Sequence, residues 1–264
     1  MPVISLHDRG RIEPILRRNV FLHIYALGDL DDFFWPFTTW YVLEEGGDIR
    51  AVLLLYTAFE TPTLMALGDP PYDPLYQLLS TARRILPPKV YAHLSRGGRA
   101  ALGSDVTAQS RGPHLKMALL QPKLDVPGVE RVERMSHMDV ADLRALYAAG
   151  YPANWFDPRQ IETGHYYGLR VNGELVSAGG PHVYSAGQRV AALGNIVTHP
   201  ANRGRGYAAA VTARACAELQ RTVDHIGLNV KADNAAAIAC YTRLGFHPIA
   251  EYEEVMLTLP PAAS

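Results

Sequence analysis

Hydrophobic positions along the chain recur at spacings that switch between about two and about 3.6, the mark of strands alternating with helices. Pro2 to Leu6 predicts a short strand. Asp8 stands where a helix N-cap belongs, and so does Asn19 ahead of "VFLHIYALGDL". The stretch "TTWYVLEEGGDIRAVLLLYTAF" places two β-rich runs around Glu45-Gly46-Gly47-Asp48, which predicts a hairpin. Thr63 to Leu67 predicts a further strand, Tyr76 to Leu86 a helix, and Val90 to His93 and Leu115 to Leu120 strands. "QPKLDVPG", residues 121 to 128, has linker chemistry.

The pattern then begins again. Val129 to Met135 predicts a strand, and Val140 to Ala149 a helix capped by Asp139. Asp157-Pro158 opens a short helix, with Gln160 placed for a capping box. "YYGLRVNGELVSAGGPHVY" is a hairpin with Asn172-Gly173 at its tip, a type I′ signal. Gln188 to Thr198 predicts a strand, Arg205 to Arg221 a helix with Val211, Ala215 and Leu219 on one stripe, and "HIGLNV" a strand. Asn234 caps a helix to Leu244 that Gly245 ends, and His247 to Leu259 closes as strand. Each half reads strand, two helices, three strands, helix, strand, helix, strand. An architectural repeat follows, with domains at 1–124 and 125–264.

Composition narrows the class. Hydrophobic residues at 48% and charged residues at 19% over 264 residues suit an ordinary globular chain with a sizeable core. A formal net charge of -1 gives no long-range pull toward nucleic acid or an anionic membrane, so neither is expected as a partner. Cys216 and Cys240 fall in predicted helices without a CxxC partner, which reads as buried thiols and suits a reducing cytoplasm. "MPVISLHDRGRIEP" has no apolar core of a signal peptide, and "PPAAS" reads as a frayed tail.

The local chemistry concentrates at "NIVTHPANRGRGYAAAV". There Arg203-Gly204-Arg205-Gly206-Tyr207-Ala208 leads straight into a helix. The first turn of a helix offers unpaired N–H groups and a positive dipole end, glycines let backbone approach an anion, and the arginines add charge. A pyrophosphate fits, although a plain strand-to-helix turn accounts for the same residues. The corresponding loop of the first half, Leu67-Gly68-Asp69-Pro70-Pro71-Tyr72, lacks donors at its prolines and carries an aspartate. No anion is expected there.

With the downstream stretch "LNVKADNAAAIACYTRLGF", the chain resembles the GCN5-related N-acetyltransferase (GNAT) superfamily. Its acyl-CoA loop, Q/R-x-x-G-x-G/A, corresponds to Arg203, Gly206 and Ala208; the second signature corresponds to Leu228, Val230, Asn234, Ala237, Tyr241, Gly245 and Phe246. The surrounding pattern looks closest to the FR47-like and glycine N-acyltransferase-like branch. The resemblance implies an α/β fold of tandem GNAT-like domains, each a mixed, mostly antiparallel sheet flanked by helices, with the first degenerate and the second catalytic.

It also implies roles. Backbone of Ile196, Val197 and Thr198 would pair with the pantetheine arm of acetyl-CoA, Arg203 to Ala208 would hold its phosphates, and Asn234 and Ala237 would contact it. Asn234 has a sufficient reason to exist as a helix cap as well. Tyr241 would protonate the departing thiolate. The family's frequent glutamate falls near Ala192, and nothing acidic lies between Val190 and His199. His182 is the best side-chain substitute as base, and a structural role for it stays open. Asn195 either orients the acceptor or packs beside the loop, while Trp155 and Phe156 either border the acceptor or pack on the first domain. The leading expectation is an enzyme moving acetyl from acetyl-CoA to the primary amine of a small molecule or amino acid, without a metal. A non-catalytic acyl-CoA-binding regulator is the alternative, and a homodimer is left open.

Overall fold

The computed structural model describes residues 3–260, so Pro2 and all but the first residue of the expected C-terminal tail lie outside the described residues. The chain forms two compact units. Unit 1 runs to Lys116 and takes in Lys231–Asp233 and the chain from Ile249, while unit 2 comprises Met117–Val230 and Asn234–Pro248.

Unit 1 contains β1 (Val3–Ser5), α1 (Arg9–Leu16), α2 (Ile24–Gly28), β2 (Thr38–Glu45), β3 (Asp48–Tyr56), β4 (Thr63–Ala66), α3 (Asp73–Ala82), β5 (Lys89–Ser95), α4 (Gly98–Ala101) and most of β6 (Thr107–Leu119). Strands β1 to β4 pair antiparallel in chain order, and β4 pairs parallel with β5. The hairpin tip falls at Gly46 and Gly47, with φ of 61° and 91°, the left-handed backbone a two-residue connection needs. Helix α3 presents Leu75, Leu78, Leu79 and Ala82 at helical spacing to a core that includes Leu53, Leu64, Leu94 and Leu257. It starts three residues earlier than the apolar stripe implies, because Pro74 suits the first helical turn.

Unit 2 continues with β7 (Val132–Arg134), α5 (Val140–Gly150), a 3-10 segment Pro158–Thr163, β8 (Tyr167–Val171), β9 (Glu174–Ser185), β10 (Val190–Thr198), α6 (Tyr207–Leu219), β11 (His225–Lys231), α7 (Ala235–Arg243) and the first residues of β12 (Phe246–Thr258). Strands β7 to β10 pair antiparallel in order, and β10 pairs parallel with β11. Asn172 and Gly173, with φ of 52° and 84°, make the expected type I′ tip between β8 and β9.

Two local expectations change. Ser136, not Asp139, caps the helical run into α5: the Asp139 carboxylate accepts from Ser136 N at 2.8 Å and closes a capping box from its third position. Asp157 caps the 3-10 segment through Arg159 N, but Gln160 reaches elsewhere. The units also do not follow a single cut after residue 124. The chain from Ile249 joins unit 1, because Tyr252–Thr258 pair antiparallel with Ser95–Lys89. The linker joins unit 2, where Leu120 N and Gln121 N donate to Gly245 O.

Candidate active site of unit 2

The geometry of the site begins with two irregularities in the β9–β10 ladder. Ala192 pairs with Val183 and Leu193 with Pro181, so His182 is an extra residue in β9. Gly194 pairs with Gly180 and Val197 with Ala178, so Asn195 and Ile196 together oppose Gly179. Bulges of this kind bend a strand and re-aim its side chains. Here they sit on either side of Gly194. The His182 imidazole fills the space a side chain on Gly194 would need, and the Tyr166 ring does the same at Gly180.

Parallel pairing of β10 with β11 runs from Val190–His225 to Leu193–Leu228 and stops there, although both strands continue. The strands therefore fork at the level of the bulges, and Gly194 to Thr198 keep no β11 partner. On the other edge, Val197 O accepts from Ser177 Oγ at 2.8 Å.

The fork leads into the glycine loop. Pro200–Asn202 form one 3-10 turn, and Gly204 and Gly206 follow with φ of 76° and 80°. Open space surrounds both positions where a Cβ would stand, so conformation rather than crowding calls for glycine. Gly206 is the N-cap of the 13-residue α6 and no side chain caps it. The first intrahelical bond runs from Ala210 N to Gly206 O at 3.0 Å, which leaves the N–H groups of Tyr207, Ala208 and Ala209 pointing out of the helix end. Arg205 is exposed beside them. Arg203 turns away: its guanidinium donates to Thr198 O at 3.3 Å and Gly150 O at 3.0 Å, bracing the loop against the end of α5.

Unit 1 shows what closes such a fork. Pairing of β4 with β5 reaches Ala66–Leu94, and Ser95 Oγ then accepts from Gly68 N at 3.0 Å and donates to Gly68 O at 3.2 Å. The next helix carries Asp73 and Pro74 in its first turn.

Asn234 caps α7, accepting from Ala237 N at 3.2 Å, so that N–H is already engaged. Tyr241 lies two turns into the same helix, 8% exposed, with its ring edge-on to Phe246. Burial, helped by Cys240, Tyr151 and Cys216, pushes its phenol well above the ordinary range, so it holds its proton at neutral pH.

Asn195 has a left-handed backbone, φ 50°, and is 4% exposed. Its Oδ1 accepts from Trp155 N and its Nδ2 donates to Gln160 Oε1, each at 3.1 Å. Its carbonyl accepts from Tyr147 Oη at 2.7 Å, and Tyr147 in turn bonds the Tyr166 hydroxyl. Phe156 stacks on Tyr147 at 5.1 Å and leans on Tyr166 at 5.4 Å, packing within unit 2. Trp155 is 47% exposed. Tyr147, Gln160 and Tyr166 are the residues that pattern reading missed. Gln160 carried a signal that pointed to a cap, while the tyrosines are core residues until the fold brings their hydroxyls together. Ala192 is fully buried, and no side chain of β10 is acidic.

Among the described residues, no group of three or more His, Cys, Asp or Glu is placed to hold a metal ion, and no helix is long and apolar enough to cross a membrane. Burial pushes the Cys216 thiol up and makes it inert.

The arrangement is a forked sheet that opens onto a glycine loop at a helix end. Residues 132–246, nearly all of them in unit 2, match the acetyltransferase (GNAT) family. Solved structures agree in fold. A tandem GNAT protein from the clavulanic acid biosynthesis pathway is 16% identical and aligns over 100% of this chain and 99% of its own, with a TM-score of 0.55. A GNAT acetyltransferase from Sphaerobacter thermophilus is 14% identical over 98% of this chain and 96% of its own, with a TM-score of 0.61. A Drosophila protein is 14% identical over 99% of each chain, with a TM-score of 0.71. No curated protein matches the chain in sequence.

Proposed function

We propose that unit 2 transfers an acetyl group from acetyl-CoA to the primary amine of a small molecule or amino acid. The observation that carries this reading is the fork between β10 and β11 opening directly onto the uncapped N-terminus of α6. The pantetheine arm pairs with the free edge of Ile196 to Thr198 as an added strand. The phosphates rest on the N–H groups from Gly204 to Ala208, with Arg205 adding charge and Arg203 holding the loop in shape.

The neutral amine attacks the thioester carbonyl. Backbone N–H groups freed at the Asn195–Ile196 bulge are the oxyanion donors. As the C–N bond forms and the C–S bond breaks, Tyr241 gives its proton to the thiolate and is later re-protonated from solvent. The amine's surplus proton passes to His182 or to water. With no acidic residue on β10, the acceptor is expected to supply its own neutral form. A lysine-type amine is neutral in roughly one molecule in a thousand at pH 7, an α-amine in about a tenth. Amino-acid α-amines therefore fit better than ε-amines.

A screen of primary amines, read by release of free CoA thiol, tests this. Thiol release that depends on the amine, with α-amines ahead of ε-amines of similar size, is expected. Tight acetyl-CoA binding without release on any amine would mark the chain as an acyl-CoA-binding regulator instead.

A further inference from the structure

We infer that Trp155 forms an aromatic wall of the acceptor site, held in place by an Asn195–Gln160 amide clamp, and that the acceptor is an α-amine carried on an aromatic or large apolar body. The inference rests on the acyltransferase reading and names its substrate class.

The clamp is a closed ring of hydrogen bonds. Trp155 N donates to Asn195 Oδ1 at 3.1 Å, Asn195 Nδ2 donates to Gln160 Oε1 at 3.1 Å, and Gln160 Nε2 donates to Trp155 O at 3.2 Å. Each amide uses one donor and one acceptor, and together they hold the N–H and the C=O of one residue as a neighbouring strand would. Residues 151–157 have no helix or strand of their own, so these bonds are what fixes their path. Asn154 tightens it, accepting from Phe156 N at 2.8 Å and donating to Tyr151 O at 2.8 Å.

The clamp also ties the segment to the reacting centre. Asn195 is the bulge residue itself, two positions past the last β10–β11 pair. Tyr151, at the other end of the segment, acts electrostatically on Tyr241. Phe156 points into the core and anchors the segment, while Trp155 remains 47% exposed. A large aromatic on a fixed backbone is costly to expose, yet loses little entropy when it meets a ligand. The charged residues of the segment, Asp157 and Arg159, pair with each other at 2.6 Å.

Asn195 has a second reason for its identity: asparagine visits the left-handed region readily, and alanine does not. Backbone and side-chain roles can therefore be separated. Asn195→Gly keeps the conformation and removes the clamp; Asn195→Asp keeps the acceptor for Trp155 N and loses the donor to Gln160.

The experiment uses the full chain with acetyl-CoA, taking phenylalanine amide and glycine amide as probes of equal amine chemistry. Amide hydrogen exchange is followed at residue 155. The wild type should favour phenylalanine amide by about tenfold or more, carried in KM. Trp155→Ala should bring the two KM values together. Asn195→Gly should lose protection at Trp155 N and raise KM for phenylalanine amide while leaving the acetyl-CoA Kd unchanged. Asn195→Asp should recover the protection and most of the KM. Equal use of the two amides by the wild type overturns the inference, as does an Asn195→Gly enzyme with wild-type KM. Should that variant not fold, Gln160→Ala must show the same KM rise, and its absence is equally fatal. A wild type that fails to bind acetyl-CoA overturns the acyltransferase reading and this inference with it.

Discussion

Tyr241 is buried within α7, and burial raises its phenol. A raised phenol is a weaker acid than a free one, but it keeps its proton at neutral pH, so in the proposed reaction it has one to give to the thiolate. In the proposed reaction that proton is needed only as the C–S bond breaks. Tyr241→Phe should therefore retain acetyl-CoA affinity and lose about a hundredfold in kcat. Calorimetry beside steady-state kinetics checks this, and unchanged kcat would assign the proton to water.

Asp29, at the C-terminus of α2, is the opposite kind of buried acid. It is 4% exposed, and burial raises its carboxyl to about 8. From about pH 4, where an unfolded aspartate ionises, up to the folded value, the folded chain keeps a proton that the unfolded chain gives up. Stability contributed by the neutral form is full below that window and is lost through it at about 1.4 kcal/mol per pH unit. Asp29→Asn should match the wild type below the window and become progressively more stable relative to it toward pH 8. Urea unfolding across that range decides; parallel curves would show that the folded carboxyl titrates normally.

At the scale of elements, the chain's pattern is informative where local chemistry alone decides the outcome. The hairpin tips at Gly46-Gly47 and Asn172-Gly173, the Asn234 cap and the glycine loop could be read because turn and cap residues act on their own backbone. The α6 boundary shifted by two residues at each end, to Tyr207–Leu219, since the side-chain stripe says nothing of the terminal turn. The bulges at His182 and Asn195 were invisible, because a bulge is a mismatch between two strands and neither strand shows it alone. For the same reason Arg203 read as a phosphate ligand, while its partners are carbonyls, one of them 53 residues away.

The loop itself gives a clean test. At Gly206, φ 80°, a side chain costs about 1–2 kcal/mol or forces the backbone to turn, re-aiming the helix-end N–H groups. Gly206→Ala should weaken acetyl-CoA binding by about tenfold. Gly46→Ala, at φ 61° in the unit 1 hairpin tip, imposes comparable strain and should leave that affinity alone. A similar loss in both would trace the effect to general destabilisation.

Over the whole molecule the repeat was legible as an order of elements, and both units keep it, with a 3-10 segment in place of the second helix in unit 2. What the order could not convey is where the C-terminal strand goes. Strand partners are set by tertiary pairing, and Tyr252–Thr258 find theirs on β5 of unit 1.

The repeat also frames the sharpest stoichiometric question. Under the proposed function the two units are two candidate places for acetyl-CoA; the fork is open in unit 2 and bridged in unit 1. In unit 1 the Ser95 hydroxyl bridges to Gly68 where the strands would part, Pro74 removes a donor from the first turn of α3, and Asp73 places negative charge at its dipole end. These obstacles are independent, so relieving one should not create a site. Titration calorimetry should give one acetyl-CoA per chain for the wild type and still one for Ser95→Ala. Gly206→Asp, which sets a carboxylate at the N-terminus of α6, should abolish binding altogether. Residual stoichiometric binding in Gly206→Asp, or two equivalents in the wild type, would place acetyl-CoA in unit 1 and reverse the assignment of the units.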